Sequence, residues 1–129
     1  MAEDDFPEPI YSYTRKQAIE DGVLIDVTKT AREAGFKFHT VVTDGVWHDY
    51  VAVDENLKQI WGQSEEGRLW DVIWMASVAA RKAPAGEDIV PFEFLVRQRK
   101  KVEKAKLWLH IGPGDKGEPV LTIMRPEDY

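Results

Sequence analysis

The segment Arg97-Gln98-Arg99-Lys100-Lys101-Val102-Glu103-Lys104-Ala105-Lys106 holds six basic side chains and one acidic one. At the tip of a hairpin such a run can grip phosphate or enter a groove as a β-ribbon. The contacts would be Arg97, Arg99, Lys100, Lys101, Lys104 and Lys106, with Trp108 placed to stack on a base. The plainer reading is a solvated turn whose lysines keep a sheet edge from pairing, with Trp108 packed on the second face of the sheet. Gly112-Pro113-Gly114-Asp115-Lys116-Gly117 has the glycine content of a phosphate loop. It lacks the Lys-Ser/Thr ending and no helix follows, so it reads as a hairpin turn.

Other residues of chemical interest are scattered. His39, His48 and His110 are far apart and give no metal-binding pair; no metal is expected. Asp44 and His48 have the i, i+4 spacing that lets side chains touch on a helix. Asp26 ends an apolar run, and Asp71 lies between Trp70 and Trp74. A carboxylate in such company must be paired, hydrogen-bonded or at a wet edge. Arg15, Arg32 and Arg68 are candidate partners, and a structural ion pair is preferred to catalysis. Tyr11, Tyr13, Thr14 and Arg15 could line a small-molecule pocket, although alternate residues of a strand face opposite ways. No Ser or Thr sits in a motif that would activate a nucleophile.

Composition narrows the function classes. The chain has 129 residues and a formal charge of -6, with no Cys. Disulfides, thiol catalysis and Cys-ligated zinc are excluded. The length fits one domain with a core of its own. No apolar run is as long as a membrane helix, and the acidic start is wrong for a signal peptide. A cytoplasmic location is the expectation. Residues 1–66 carry 6 basic and 14 acidic side chains, residues 67–129 carry 11 and 9. One acidic surface and one basic spot follow.

The elements that would position these residues can be read in order. Residues 1–9 are an acidic tail, 10–125 one α+β domain, and 126–129 a second tail. Ile10 to Tyr13 reads as a strand. Thr14 caps a helix over Arg15 to Asp21, stopped by Gly22. Val23-Leu24-Ile25 reads as a buried strand or an extended segment. Thr28 caps a helix over Lys29 to Ala34, ended by Gly35. Phe36 to Val41 is extended. Thr43 caps a helix over Asp44 to Val53, which Gly45 weakens by about 1 kcal/mol relative to Ala. Ser64-Glu65-Glu66-Gly67 opens the main helix, Arg68 to Lys82, which is apolar almost all round and so belongs in the middle of the fold. Ile89 to Arg97, Ala105 to Ile111 and Pro119 to Met124 are strands, with Arg99 to Lys104 as a charged turn. The expected fold is a C-terminal three-stranded antiparallel meander packed against that helix, with short N-terminal helices. One N-terminal strand can join the sheet.

Three separated blocks carry a resemblance. They are residues 10–37, from Ile10-Tyr11-Ser12-Tyr13-Thr14-Arg15 to Gly35-Phe36-Lys37; Gly67-Arg68-Leu69-Trp70-Asp71-Val72-Ile73-Trp74-Met75-Ala76; and Ile111-Gly112-Pro113-Gly114-Asp115 with Val120, Thr122, Ile123 and Met124. Together they resemble an uncharacterised family of small bacterial proteins encoded on plasmids, phages and integrative elements. The resemblance implies a cytoplasmic accessory protein of a mobile element. It implies no catalytic residue and no cofactor. Tyr11 to Leu24 also resembles, in outline only, the first strand and helix of small ADP-ribosyl-transfer enzymes, without the His those enzymes usually place there.

The expected function is therefore non-catalytic binding to, and possible inhibition of, a host or defence protein, with nucleic-acid mimicry by the acidic half as one route. The alternatives are nucleic-acid binding through the hairpin at 97–106 and a small nucleotide-processing enzyme.

Overall fold

The computed structural model describes residues 13–129. Thr14 opens α1 (Arg15–Glu20) through a capping box. Its hydroxyl accepts from the Gln17 N–H, and the Gln17 side chain accepts from the Thr14 N–H, both at 3.0 Å. Gly22, at φ 77°, turns the chain into β1 (Leu24–Asp26). The expected strand at 10–13 lies outside the described residues except for Tyr13, which is irregular and exposed.

Thr28 is the first residue of α2 (Thr28–Glu33) and not its cap. Asp26 takes the capping task instead: its Oδ1 accepts from the Thr28 N–H at 2.9 Å and the Thr28 hydroxyl at 2.6 Å. β2 (His39–Thr43) follows. Thr43 caps α3 (Asp44–Val46), as its position predicts. The helix expected through Val53 instead widens into a π turn, Trp47–Val51, closed by the Ala52 N–H on Trp47 O at 2.8 Å. The wider turn lets Val46 and Val51, five residues apart, both be fully buried.

Asp54 caps α4 (Glu55–Gln59), and Ser64 caps α5 (Glu65–Lys82). The remaining strands are β3 (Ile89–Arg97), β4 (Val102–Pro113) and β5 (Pro119–Met124). β4 begins earlier than expected, so only Gln98 to Lys101 turns. A short 3-10 turn, Pro126–Asp128, ends the chain.

The C-terminal meander is present, but it is part of a five-stranded mixed sheet in the order β1-β2-β5-β4-β3. β2 runs parallel to β5; the other pairs are antiparallel. Leu107, Leu109, Leu121, Ile123, Val42, Phe92 and Phe94 form one face, covered by α2, the π turn and α5 through Ala31, Val51, Val72, Ile73 and Ala76. The alternate positions face the other way, as the strand period requires. There α1 lies over one half, where Arg15 donates to Thr122 Oγ1 at 3.0 Å and Leu121 O at 2.7 Å. Tyr129 lies against Trp108 and His110, with ring centroids 5.6 and 5.7 Å apart.

β3 is an edge strand. Gln98 N donates to Lys101 O, and Ile111 N to Asp88 O. Even-numbered residues of β3 therefore bond to β4, and odd-numbered ones turn their backbone groups outward. Pro91 occupies one of the outward positions, where its missing N–H costs the ladder nothing.

Candidate functional site

α5 is less enclosed than its composition suggests. Leu69, Val72, Ile73 and Ala76 are buried, but Trp74 is 40% exposed. Trp70 stacks on Trp74 at 5.8 Å, and the Arg81 guanidinium lies 5.1 Å from the Trp74 ring centroid. On β3, Leu95 is 67% exposed because it lies out of phase with Phe92, Phe94 and Val96. Between them runs a concavity of about 570 Å³, lined by Asp71, Trp74, Met75, Phe94 and Leu95, with Glu93 and Lys104. It follows the unpaired edge of β3.

Asp71 is the wet-edge case among the alternatives for that carboxylate. It makes no ion pair within 4.0 Å among the described residues. Partial desolvation in the groove raises its carboxyl, and the charge of Arg68 opposes that without reversing it. Glu93 differs, because it faces Lys104 at 3.6 Å and Lys106 at 3.9 Å.

The basic run is spread over several environments. The Arg97 guanidinium stacks 3.4 Å from the Trp61 ring centroid, with its Nε buried and unpartnered. Arg99 Nε meets Asp54 Oδ2 at 3.0 Å. Lys104 and Lys106 share Glu93, while Lys100 and Lys101 are exposed at the turn. Trp108 faces Tyr129 on the second face of the sheet and is separated from the turn by about half the length of β4. The aromatic ring beside the basic cluster is Trp61.

Of the proposed small-molecule pocket, Tyr11 lies outside the described residues. Tyr13, Thr14 and Arg15 line a shallow depression of about 400 Å³ with Asp115, and Arg15 lines a second of about 300 Å³ with His39 and Glu118. Asp115, in the glycine-rich turn, accepts from the backbone N–H groups of Arg15 and Lys16 at 2.8 and 3.1 Å. Those two bonds hold its carboxyl below the ordinary value of 3.8. The turn caps a helix and closes a hairpin.

Asp26 Oδ2 lies 3.1 Å from His39 Nε2, and His39 Nδ1 accepts from Arg15 Nε at 3.4 Å. Both ring nitrogens are thus engaged. Desolvation pushes the Asp26 carboxyl up, but the Thr28 bonds and His39 outweigh it, so it titrates below 3.8. His48 is on the π turn, and no hydrogen bond joins it to Asp44 among the described residues. The widened turn removes the spacing on which that contact depended. No group of three His, Asp or Glu among the described residues could hold a metal ion. None of their helices is long and apolar enough to cross a membrane.

No spacing motif marks the groove, although the sequence carries two signals of it. Leu95 breaks the strand alternation, and Trp74 widens the apolar stripe of α5 beyond what one face can bury.

Fold and surface together define an α+β domain with a groove beside an open sheet edge. The chain belongs to a family of unknown function, DUF6573, whose model matches residues 5–129. No curated protein and no solved structure matches it.

Proposed function

We propose that this chain is a non-catalytic protein-binding module whose groove along β3 receives an extended segment of a partner. The observation that carries the reading is the concavity of about 570 Å³ lying along an unpaired strand edge. Added strands gain affinity from main-chain hydrogen bonds and specificity from side-chain pockets. The outward backbone groups of Glu93 and Leu95 supply the first, and Trp74, Met75 and Phe94 supply the second. The occupant is an extended peptide of alternating apolar residues with a Lys or Arg opposite Asp71, the groove carboxylate with no ion-pair partner among the described residues. In its setting, the protein would be a cytoplasmic accessory factor of a bacterial mobile element acting on a host or defence protein.

The Asp26–His39 pair has a structural use: Asp26 bonds the Thr28 N–H and hydroxyl at the start of α2, and His39 lies between Asp26 and Arg15. The test is selection of random extended decapeptides on the purified protein, repeated with Leu95→Asp and Trp74→Ala. Enrichment of alternating apolar peptides bearing a cation, lost in both variants, supports the reading. Enrichment indifferent to both variants overturns it.

A second reading, phosphate binding at the hairpin, is favoured by the exposed Lys100 and Lys101 and by the Trp61–Arg97 stack. Reversal of Arg99, Lys100 and Lys101 to Glu, with the fold retained, would abolish oligonucleotide binding on this reading. Unchanged affinity would remove it.

A further inference from the structure

The geometry points to an oxyanion-binding pocket, suited to a phosphate group, between the π turn and the tip of the β3–β4 hairpin. The cavity is about 290 Å³ and is bordered by His48, Asp49, Asp54, Arg68, Gln98 and Arg99. Arg68 is the reason to look there. It is only 3% exposed, yet no carboxylate lies within 4.0 Å of it among the described residues. A buried cation without a counter-charge is costly.

The charges of Asp54 and Asp71 act on it through space, but neither forms an ion pair with it within 4.0 Å among the described residues. Asp49 Oδ2 is held by Arg125 Nη1 at 2.9 Å. Asp54 accepts from the Leu57 N–H at 2.9 Å and faces Arg99 Nε at 3.0 Å. Arg68 Nη1 donates to Arg97 O at 2.6 Å, and Nη2 to Gln98 Oε1 at 3.3 Å. Both acceptors are neutral. A guanidinium has five N–H groups, so each terminal nitrogen of Arg68 retains one. Arg99 meets Asp54 through Nε, which leaves the forked end of its guanidinium for a ligand.

Residues that carry donor groups border the cavity from three elements: His48 from the π turn, Arg68 from α5 and Arg99 from the hairpin turn. Three directions suit a tetrahedral phosphate better than a planar carboxylate. The phosphate could be free or part of a nucleic-acid backbone. Lys100 and Lys101, exposed beside Arg99, would extend contact only to a polymer. The site is separate from the groove along β3 and does not depend on it.

The experiment is a titration of the full chain followed by ¹H–¹⁵N spectra, including the arginine Nε–H signals. Potassium phosphate is compared with potassium chloride at matched ionic strength. The expected result is saturable shifts of Arg68, Arg99 and residues 48–54 with phosphate alone. Arg99→Ala, at an exposed position, should weaken binding at least tenfold with the rest of the spectrum retained, and His48→Ala should weaken it less. Shifts that match the chloride control, or that survive Arg99→Ala, overturn the proposal. A single-stranded twelve-nucleotide DNA forms the second arm. Binding tighter than phosphate by tenfold or more, lost with Lys100→Glu and Lys101→Glu, identifies the backbone as the source. Binding no tighter than phosphate identifies a free phosphate.

Discussion

Arg68 Nη1 donates to the carbonyl oxygen of Arg97 at 2.6 Å, at the point where the outward-facing edge of β3 ends. The bond closes the last outward carbonyl of that strand and ties the first turns of α5 to the hairpin. Beyond it, toward Ile89, the edge has no strand partner. One buried arginine thereby sets the length of edge open to an added strand.

Arg68→Met keeps the apolar stem and removes the donors. It leaves Arg97 O unpaired beside a buried position. Loss of a charged hydrogen bond of this kind costs about 2 kcal/mol. A lower urea midpoint with an unchanged slope would record it. Unaltered stability would mean that the bond contributes nothing net.

The alternation along β3 makes a paired prediction. Phe94 is buried against the π turn, with its ring 5.7 Å from Tyr50, whereas Leu95 is exposed. Phe94→Ala should cost about 3–5 kcal/mol. Leu95→Lys should change stability by no more than about 0.5 kcal/mol. Equal effects in thermal or urea unfolding would contradict the placement of these neighbours.

Asp26 sets an acid limb. Its folded-state carboxyl titrates below 3.8, because the Thr28 bonds and His39 overcome the effect of burial. Below the ordinary value the unfolded chain binds the proton first. The contribution is therefore present above about pH 4 and is lost as pH falls through the folded-state value. Asp26→Asn should flatten the decline in stability over that range while leaving the neutral-pH fold intact. Parallel curves for the two proteins between pH 5 and pH 2.5 would refute it. The half-exposed carboxylate keeps the effect modest.

The parts of the fold written in local chemistry were readable. Thr14, Thr43 and Ser64 cap helices as their positions require, and Gly22 and Gly35 take the positive φ that ends α1 and α2. The three C-terminal strands alternate and are joined by turns, so they too were legible. One N-terminal strand is expected in the sheet, whereas β1 and β2 both join it. β1 has only three residues, and Thr40 to Thr43 are buried on consecutive positions, which erases the period of two. β2 also pairs parallel with β5, through residues 81 positions apart, so no turn announces the contact. The groove depends on how the middle of α5 lies against β3, and the Arg68 pocket on three distant segments. Neither spacing nor composition encodes such meetings.

Gly45 offers a prediction with a sign reversal. In an ordinary helix, Ala in place of Gly is worth about 1 kcal/mol. Here a Cβ on Gly45 would run into the Arg125 guanidinium. That guanidinium bridges Asp49 at 2.9 Å and Asp128 at 2.7 Å, and Asp128 in turn accepts from the Thr43 hydroxyl at 2.7 Å. The two carboxylates hold the guanidinium in place through these bonds and raise its proton affinity above the usual arginine range. Gly45→Ala should therefore destabilise the wild-type chain by pushing Arg125 off both partners and loosening the C-terminal turn. In an Arg125→Ala background the obstruction is gone, and the same substitution should stabilise by up to about 1 kcal/mol. A double-mutant cycle in urea measures both signs. The same sign in the two backgrounds would show that the close approach of Arg125 to Gly45 does not govern this turn.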